Sequence, residues 1–291
     1  MEPISETDLI LNEDGSVYHL NLLPGDIADT IITVGDMDRV GEVSKYFDSI
    51  ELKKGKREFI THTGRVGNKR ITVISTGIGT DNIDIVLNEL DALVNVDFAS
   101  RLPKDQLRQL NIIRIGTSGA IHADIAVDSL LASSAAFGLD ALGSFYEKEY
   151  NADQRNMVDA FIASFDPHNK IASYIASAGP LLINKLAEGI QQGITITSPG
   201  FYTPQGRQVR AKAAIPNLME IITKFRFAGQ RITNLEMETA GIYSLAKLLG
   251  HQAISFNVIL ANRALKKFSK QPALVMDKYI SEIISRISDR L

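Results

Sequence analysis

Short runs of β-branched and apolar residues, each followed by a stretch with helical spacing, recur along nearly the whole chain. The runs are 31–34 (IITV), 71–75 (ITVIS), 112–115 (IIRI), 194–197 (ITIT) and 253–259 (AISFNVI). Short, rich in β-branched residues and free of acidic or lysine side chains, each predicts a strand covered on both faces. Between them the spacing predicts helices over 39–47, 81–96, 180–192, 239–249 and 273–291, with Gly250 placed to stop the fourth. Strand and helix in alternation predict a layered α/β domain with a parallel or mixed sheet. In such a domain the ligand belongs at the strand ends.

The chain of 291 residues is 45% hydrophobic and 22% charged, enough for one substantial core. No repeat or linker forces a boundary, so a single domain over 1–291 is expected, with a polar lead at 1–16. The segment 99–109 (ASRLPKDQLRQ) breaks the rhythm with Pro and charge and reads as a surface insertion, and 145–169 reads as irregular. A net charge of −3 offers no basic field for nucleic acid or a membrane surface. With no cysteine, disulfides and thiolate chemistry are excluded. The start lacks a basic region before an apolar stretch, and no apolar run reaches the ~18 residues that span a bilayer. A cytoplasmic protein acting on small molecules is the expectation.

Familiar phosphate signatures fail. Gly77-Ile-Gly79 follows a strand, but Asn82 stands where a dinucleotide fingerprint needs glycine, and GIGTDN alone reads first as a tight strand-to-helix turn. No P-loop or nucleophile elbow is present. Three strand-end loops together say more: VGDMDRV (34–40), RIGTSGA (114–120) and the turn at Gly77. Small residues let backbone N–H groups approach an anion, and Arg39 and Arg114 add charge, a combination that suits phosphate. Arg39 alone reads as a solvated helix residue. Arg114 lies in an apolar run, so it must face something anionic, either a structural carboxylate or a ligand. Thr117 and Ser118 can donate to the same group.

A fourth loop, SPGFYTPQGRQ (198–208), reads either as a Pro-rich turn or as a nucleobase reader. In the second reading Gln205 and Arg207 present donors and an acceptor to a heterocycle edge and Phe201 covers its face. In TNLEMETAG (233–241), Glu238 can accept from two vicinal hydroxyls while Met237 packs on a sugar and Glu236 supports from behind. The plain alternative is an acidic helix start.

These pieces, with REF (57–59), STGIG (75–79) and ANR (261–263), fall in the order and spacing of the nucleoside phosphorylases of the first structural class. The chain most resembles their uridine phosphorylase branch, from about Val17 onward. The resemblance implies a three-layer αβα fold with a central mixed sheet. It implies a phosphate site of Gly35, Arg39, Arg114 and Thr117, with Arg57 from a neighbouring subunit. Glu238, Met237 and Arg114 would hold ribose, with the partner chain's His19 position at the 5′-hydroxyl. Phe201, Gln205 and Arg207 would bind uracil, with Arg263 close behind. Some members hold a monovalent cation between subunits, at positions matching Glu58, Ile78 and Asn82; Asn82 replaces a serine there. Purine-selective relatives carry a Ser-Asp motif where this chain has Asn262 and Arg263, and lack the Gln-x-Arg pair. The chain also departs from the family's Val-Gly-Asp at Val127-Asp128-Ser129.

The activity implied is reversible phosphorolysis of uridine, and of 2′-deoxyuridine, with Arg114, Glu238, Gln205 and Arg207 carrying the chemistry. Inorganic phosphate is co-substrate, no redox cofactor is needed, and the unit is a homo-oligomer with a dimer as its smallest active form, up to a hexamer. Rival readings are a purine or broad-specificity phosphorylase, a nucleosidase and a catalytically inactive nucleoside-binding protein.

Overall fold

The computed structural model describes residues 2–168 and 171–291. In chain order the first half holds β1 (Thr30–Val34), α1 (Asp38–Ser44), β2 (Ser49–Lys56), β3 (Phe59–Val66), β4 (Lys69–Ser75), α2 (Thr80–Asn95), the short β5 (Val96–Asp97) and β6 (Leu102–Pro103), β7 (Asn111–Ala120) and β8 (Leu130–Gly138). The second half holds α3 (Ala152–Ala163), β9 (Tyr174–Ser177), α4 (Pro180–Leu186), β10 (Gln191–Thr197), α5 (Leu218–Lys224), β11 (Arg226–Phe227), β12 (Gln230–Glu236), α6 (Thr239–Leu248), β13 (Gln252–Asn262), β14 (Lys267–Phe268) and α7 (Pro272–Arg290).

Doubly buried strands need a cover on each face, and two helical layers supply it. Ile31, Ile74 and Ile112 pack with α2 and α6 through Val86, Leu90 and Tyr243. Their neighbours Ile32, Val73 and Ile113 turn the other way, onto Val40 of α1, Leu182 of α4 and Ile280 and Ile284 of α7. This period of two across a sheet with helices on both sides is the three-layer αβα arrangement. A third cluster, centred on Phe137, Phe161 and Phe225, seats α3 and α5 on β8 and β10.

The main sheet runs β11-β12-β10-β8-β13-β7-β1-β4-β3-β2 and is mixed, with β1, β4, β7 and β13 parallel and the β2–β3–β4 meander antiparallel. One further pairing changes its shape. β12 also meets β7 antiparallel, Asn234 opposite Ala120 and Leu235 opposite Gly119. The strands β7, β13, β8, β10 and β12 therefore close on themselves as a five-membered ring. The parallel strands β1, β4 and β7 deliver their C-terminal ends to one edge, where the ring and the open sheet join.

Several expectations shift. RIGTSGA, expected as a strand-end loop, is still β7 through Ala120, because β13 pairs with it residue by residue from Asn111 to Ala120. The helix expected over 180–192 ends at Leu186; Gly189 takes a left-handed φ of 74° and β10 has begun by Gln191. The stretch expected to be irregular over 145–169 contains α3, started by Asn151, which accepts from Gln154 N at 2.8 Å while Gln154 Oε1 accepts from Asn151 N. Its last residue, Asn169, lies outside the described residues. Gly250 follows α6 with a φ of 78°, as expected. The segment 99–109 lies on the surface, and Arg101 ties it to the polar lead by donating to the carbonyls of Ile4, Ser5 and Leu9.

Candidate active site

A cavity of about 800 Å³ opens where those strand ends gather. The loop after β1 contributes Gly35 to Met37, α1 contributes Arg39, the β4–α2 turn contributes Gly77 and Ile78, and the first turn of α2 contributes Asn82. From the ring come Arg114 and Gly116 to Gly119 of β7, Leu260 and Ala261 of β13 and Leu235 to Glu238 at the β12–α6 junction. Phe201, Gln205 and Arg207 close the far side. Six segments separated in sequence thus bring the expected anion, sugar and base groups into one space.

The anion corner is built for charge. The Arg39 side chain makes no hydrogen bond or ion pair within the chain among the described residues. Burial pulls its guanidinium pKa down, and Arg114 nearby adds to that, against the opposing pull of Asp36 and Glu238. A half-buried cation without a partner favours an anionic ligand beside it. Gly35 and Gly77 bring two loops together, for a Cβ on Gly35 would meet Gly77 O at 3.4 Å. Arg57 and His19 lie outside this cavity. Arg57 sits exposed at the β2–β3 turn with its guanidinium 5.8 Å from the Tyr18 ring, and that ring meets the His19 ring edge-on at 4.9 Å. His19 Nδ1 lies 2.6 Å from Glu89 Oε1. The two residues expected to serve a neighbouring subunit therefore share one patch.

Three buried ionisable side chains form the middle of the site. Arg114 Nη2 donates to Glu238 Oε2 at 2.5 Å and lies 3.1 Å from Glu236 Oε2. Burial opposes charge on Arg114, but the two carboxylates outweigh it and its pKa rises. The guanidinium folds back over its own strand at Gly116, where a Cβ would stand 2.1 Å from Nη1, so only glycine leaves room. Glu236 accepts from the Glu238 and Thr239 backbone N–H groups and from Thr197 Oγ1, which caps α6 and fixes the loop carrying Glu238. Glu238 Oε1 accepts from Gly79 N at 2.8 Å. Burial pushes the Glu238 carboxyl up, with Glu236 adding to the rise and Arg114 drawing it down. Met237 lies between the two glutamates and lines the cavity.

On the base side, Arg207 Nη1 donates to Gln205 Oε1 and to Phe201 O, both at 2.7 Å. Its guanidinium carbon lies 3.9 Å from the Phe201 ring centroid, so one face of that ring is covered by the arginine. Arg263 does not reach the cavity. It donates to the carbonyls of Gln205 and Gly206 from behind and so supports the loop. Asn262 is structural: its Nδ2 donates to the His122 and Ile125 carbonyls.

The matched family model is described as the phosphorylase superfamily and covers residues 29–283. The chain belongs to that superfamily. Within it, a uridine phosphorylase from Thermococcus kodakarensis is 30% identical over 260 residues, 89% of this chain and 82% of that protein. A DeoD-type purine nucleoside phosphorylase from Buchnera aphidicola is 26% identical over 87% of this chain and 90% of its own length. Among solved structures, a Trypanosoma brucei nucleoside phosphorylase with uridine phosphorylase activity aligns with a TM-score of 0.84 and 30% identity, covering 97% of this chain and 99% of that one.

For a phosphorylase-superfamily chain, the structure also places residues that the sequence did not single out. Leu260 and Phe268, beside Ala261 of the ANR run, give the cavity an apolar wall on the ring side. Phe268 sits on the two-residue β14, too short to leave a periodic signal. Glu58, Ile78 and Asn82 do converge at the rim: a Cβ on Gly77 would meet Asn82 Nδ2 at 2.3 Å and Glu58 Cγ at 3.3 Å. Among the described residues no group of three or more His, Cys, Asp or Glu is assembled to hold a metal ion. No helix among them is long and apolar enough to cross a membrane.

Proposed function

We propose that this chain is a pentosyltransferase that cleaves uridine, and 2′-deoxyuridine, with inorganic phosphate, releasing uracil and a pentose 1-phosphate. The observation that carries this reading is the presence in one cavity of a free arginine, a buried Arg–Glu pair and a Gln–Arg base loop. Phosphate held by Gly35, Arg39, Thr117 and Arg114 attacks C1′ as the bond to N1 breaks. Its oxygen forms the new bond, and the electron pair of the broken bond leaves with the base. Positive charge grows on the sugar and negative charge on uracil, so catalysis is a matter of position and charge. Glu238 accepts from the ribose hydroxyls, Met237 packs on the ring, and Arg207 with Gln205 takes the charge of the leaving base. No redox cofactor enters. A monovalent cation at Glu58, Ile78 and Asn82 would be structural.

A dimer is the smallest complete unit in this reading. Arg114 is already matched by two carboxylates, so among the described residues one chain offers a phosphate dianion in this cavity the single free cation of Arg39. Arg57, placed on the outer patch with His19, would supply the second from a neighbouring copy. The deciding experiment measures base release from uridine, cytidine, thymidine and inosine with and without phosphate. Phosphate-dependent release from uridine supports the reading. Release without phosphate indicates a hydrolase, preference for inosine the purine branch, and binding without release a nucleoside-binding protein.

A further inference from the structure

Each strand of the closed ring turns a polar side chain inward, and these side chains hydrogen-bond in ring order. Arg114 on β7 donates from Nη1 to Asn257 Oδ1 on β13 at 3.2 Å. Asn257 Nδ2 donates to Ser133 Oγ on β8 at 3.0 Å. Ser133 Oγ lies 2.6 Å from Thr195 Oγ1 on β10, and Thr195 donates to Asn234 Oδ1 on β12 at 2.9 Å. Asn234 Nδ2 returns to β7, donating to Ser118 Oγ at 2.9 Å. Asn257, Ser133, Thr195 and Asn234 are 0% exposed, yet Arg114 and Ser118 at the two ends both line the cavity.

The direction of donation follows from chemistry. A guanidinium only donates, so the oxygen of Asn257 must face it and the amide nitrogen must face Ser133. Ser133 then has one hydrogen, whose side-chain acceptor is Thr195. The Thr195 hydrogen goes on to Asn234, whose nitrogen is left for Ser118. Buried hydrogens need acceptors, so the whole set is locked once Arg114 sets the first. Ser118 receives a hydrogen bond from behind, and its own hydrogen has no acceptor within the chain among the described residues. Bonds aligned in one direction also polarise one another.

We propose that Asn257 is a positioning residue: it fixes the Arg114 guanidinium beside Glu238 and, through Ser133, Thr195 and Asn234, turns the Ser118 hydroxyl into a donor for an oxygen of the bound nucleoside. The proposal rests on the reading of the cavity as a phosphate and nucleoside site. It makes an unusual prediction for Asn257→Asp, which has nearly the same shape. A carboxylate still accepts from Arg114 but cannot donate to Ser133. Ser133 would donate back to it, each later bond would reverse, and the Ser118 hydrogen would turn inward to Asn234.

The test is a double-mutant cycle in the full chain on Asn257→Asp and Ser118→Ala, read as kcat/KM for uridine, KM for phosphate and uracil affinity. Either single change should lower kcat/KM for uridine about tenfold, the loss of one buried hydrogen bond to ligand. The pair together should cost no more than one alone, and the phosphate KM should stay within about twofold because Arg114 keeps its acceptor. Ser133→Ala, which cuts the circuit without adding charge, should repeat the loss and covers the case in which the aspartate variant does not fold. Independent, additive losses, or wild-type kinetics in folded Asn257→Asp, overturn the proposal. If the unmutated protein binds phosphate and uracil but cleaves no uridine, the reading of the activity fails. The circuit is then judged on uridine affinity alone, by the same non-additivity.

Discussion

Arg114 and Glu238, both almost wholly buried, meet at 2.5 Å in a wall of the cavity. Glu236 shares the same guanidinium, so one cation is set against two buried carboxylates. Removing the cation leaves both unpaired. Arg114→Ala should therefore cost about 3–5 kcal/mol in unfolding free energy and slow phosphate-dependent turnover by about 10²-fold or more. Gly116→Ala should reproduce much of the kinetic loss with the arginine still present, since its Cβ would occupy the guanidinium's place. Urea titration and steady-state kinetics of the two variants check this. Wild-type turnover in Gly116→Ala would show that the folded-back guanidinium is not needed.

Glu238 gives two pH dependences of opposite sign. Its raised pKa means that it takes up a proton at a higher pH than an ordinary glutamate. As an acceptor for ribose hydroxyls it must be ionised, so kcat/KM for uridine should fall on the acid side above the ordinary value of 4.5. Stability runs the other way. A carboxyl whose pKa is raised by folding contributes fully below 4.5, and that contribution is lost as pH rises through the folded value. Glu238→Gln should lack both trends in pH–rate profiles and in Tm measured across pH.

The αβα core was legible in the sequence because its doubly buried strands are short runs dominated by β-branched and apolar residues. The ring was not. Its strands β8 (LLASSAAFG) and β12 (QRITNLE) mix small, polar and apolar residues, because their inward faces hold Ser133 and Asn234 in the hydrogen-bonded interior. The hairpin β2–β3 was missed for a different reason: SIELKKGK lies largely exposed and reads as a charged loop. Arg39, Arg114, Glu238, Gln205 and Arg207 were legible as candidates because glycine turns and misplaced charges mark them. What Arg263 does from behind the loop, donating to the Gln205 and Gly206 carbonyls, is a side-chain to backbone contact that spacing does not encode.

The patch that joins Arg57, Tyr18 and His19 predicts activity in trans. An Arg57→Ala chain and a Glu238→Ala chain should each be nearly inactive. Mixed and reassembled, they should regain a fraction of wild-type activity, because a mixed dimer holds one site with both residues intact. Sedimentation of the active species alongside the assay checks the assembly. Full activity in a demonstrated monomer would sink the shared-site arrangement.

In the proposed reading base selectivity rests on Arg207 and Gln205, which are hydrogen-bonded to each other. That bond fixes the amide: its oxygen faces the guanidinium, so its nitrogen is presented as a donor. The loop therefore shows the base a set rich in donors, backed by Arg263 on the Gln205 carbonyl. Uracil answers with two carbonyl oxygens, whereas cytosine replaces one with an amino donor. A donor facing a donor leaves both unpaired at ~1–3 kcal/mol each, which multiplies into a preference of orders of magnitude. Uridine should be cleaved, 2′-deoxyuridine less well because Glu238 loses a hydroxyl, and cytidine hardly at all. Arg207→Ala should cut kcat/KM for uridine by about 10² to 10³ while leaving the phosphate KM close to wild type. It also uncovers the Phe201 ring that the guanidinium overlies, so uracil affinity should fall less than turnover. Comparable rates on uridine, cytidine and inosine in the unmutated enzyme would show that this pair does not read the base.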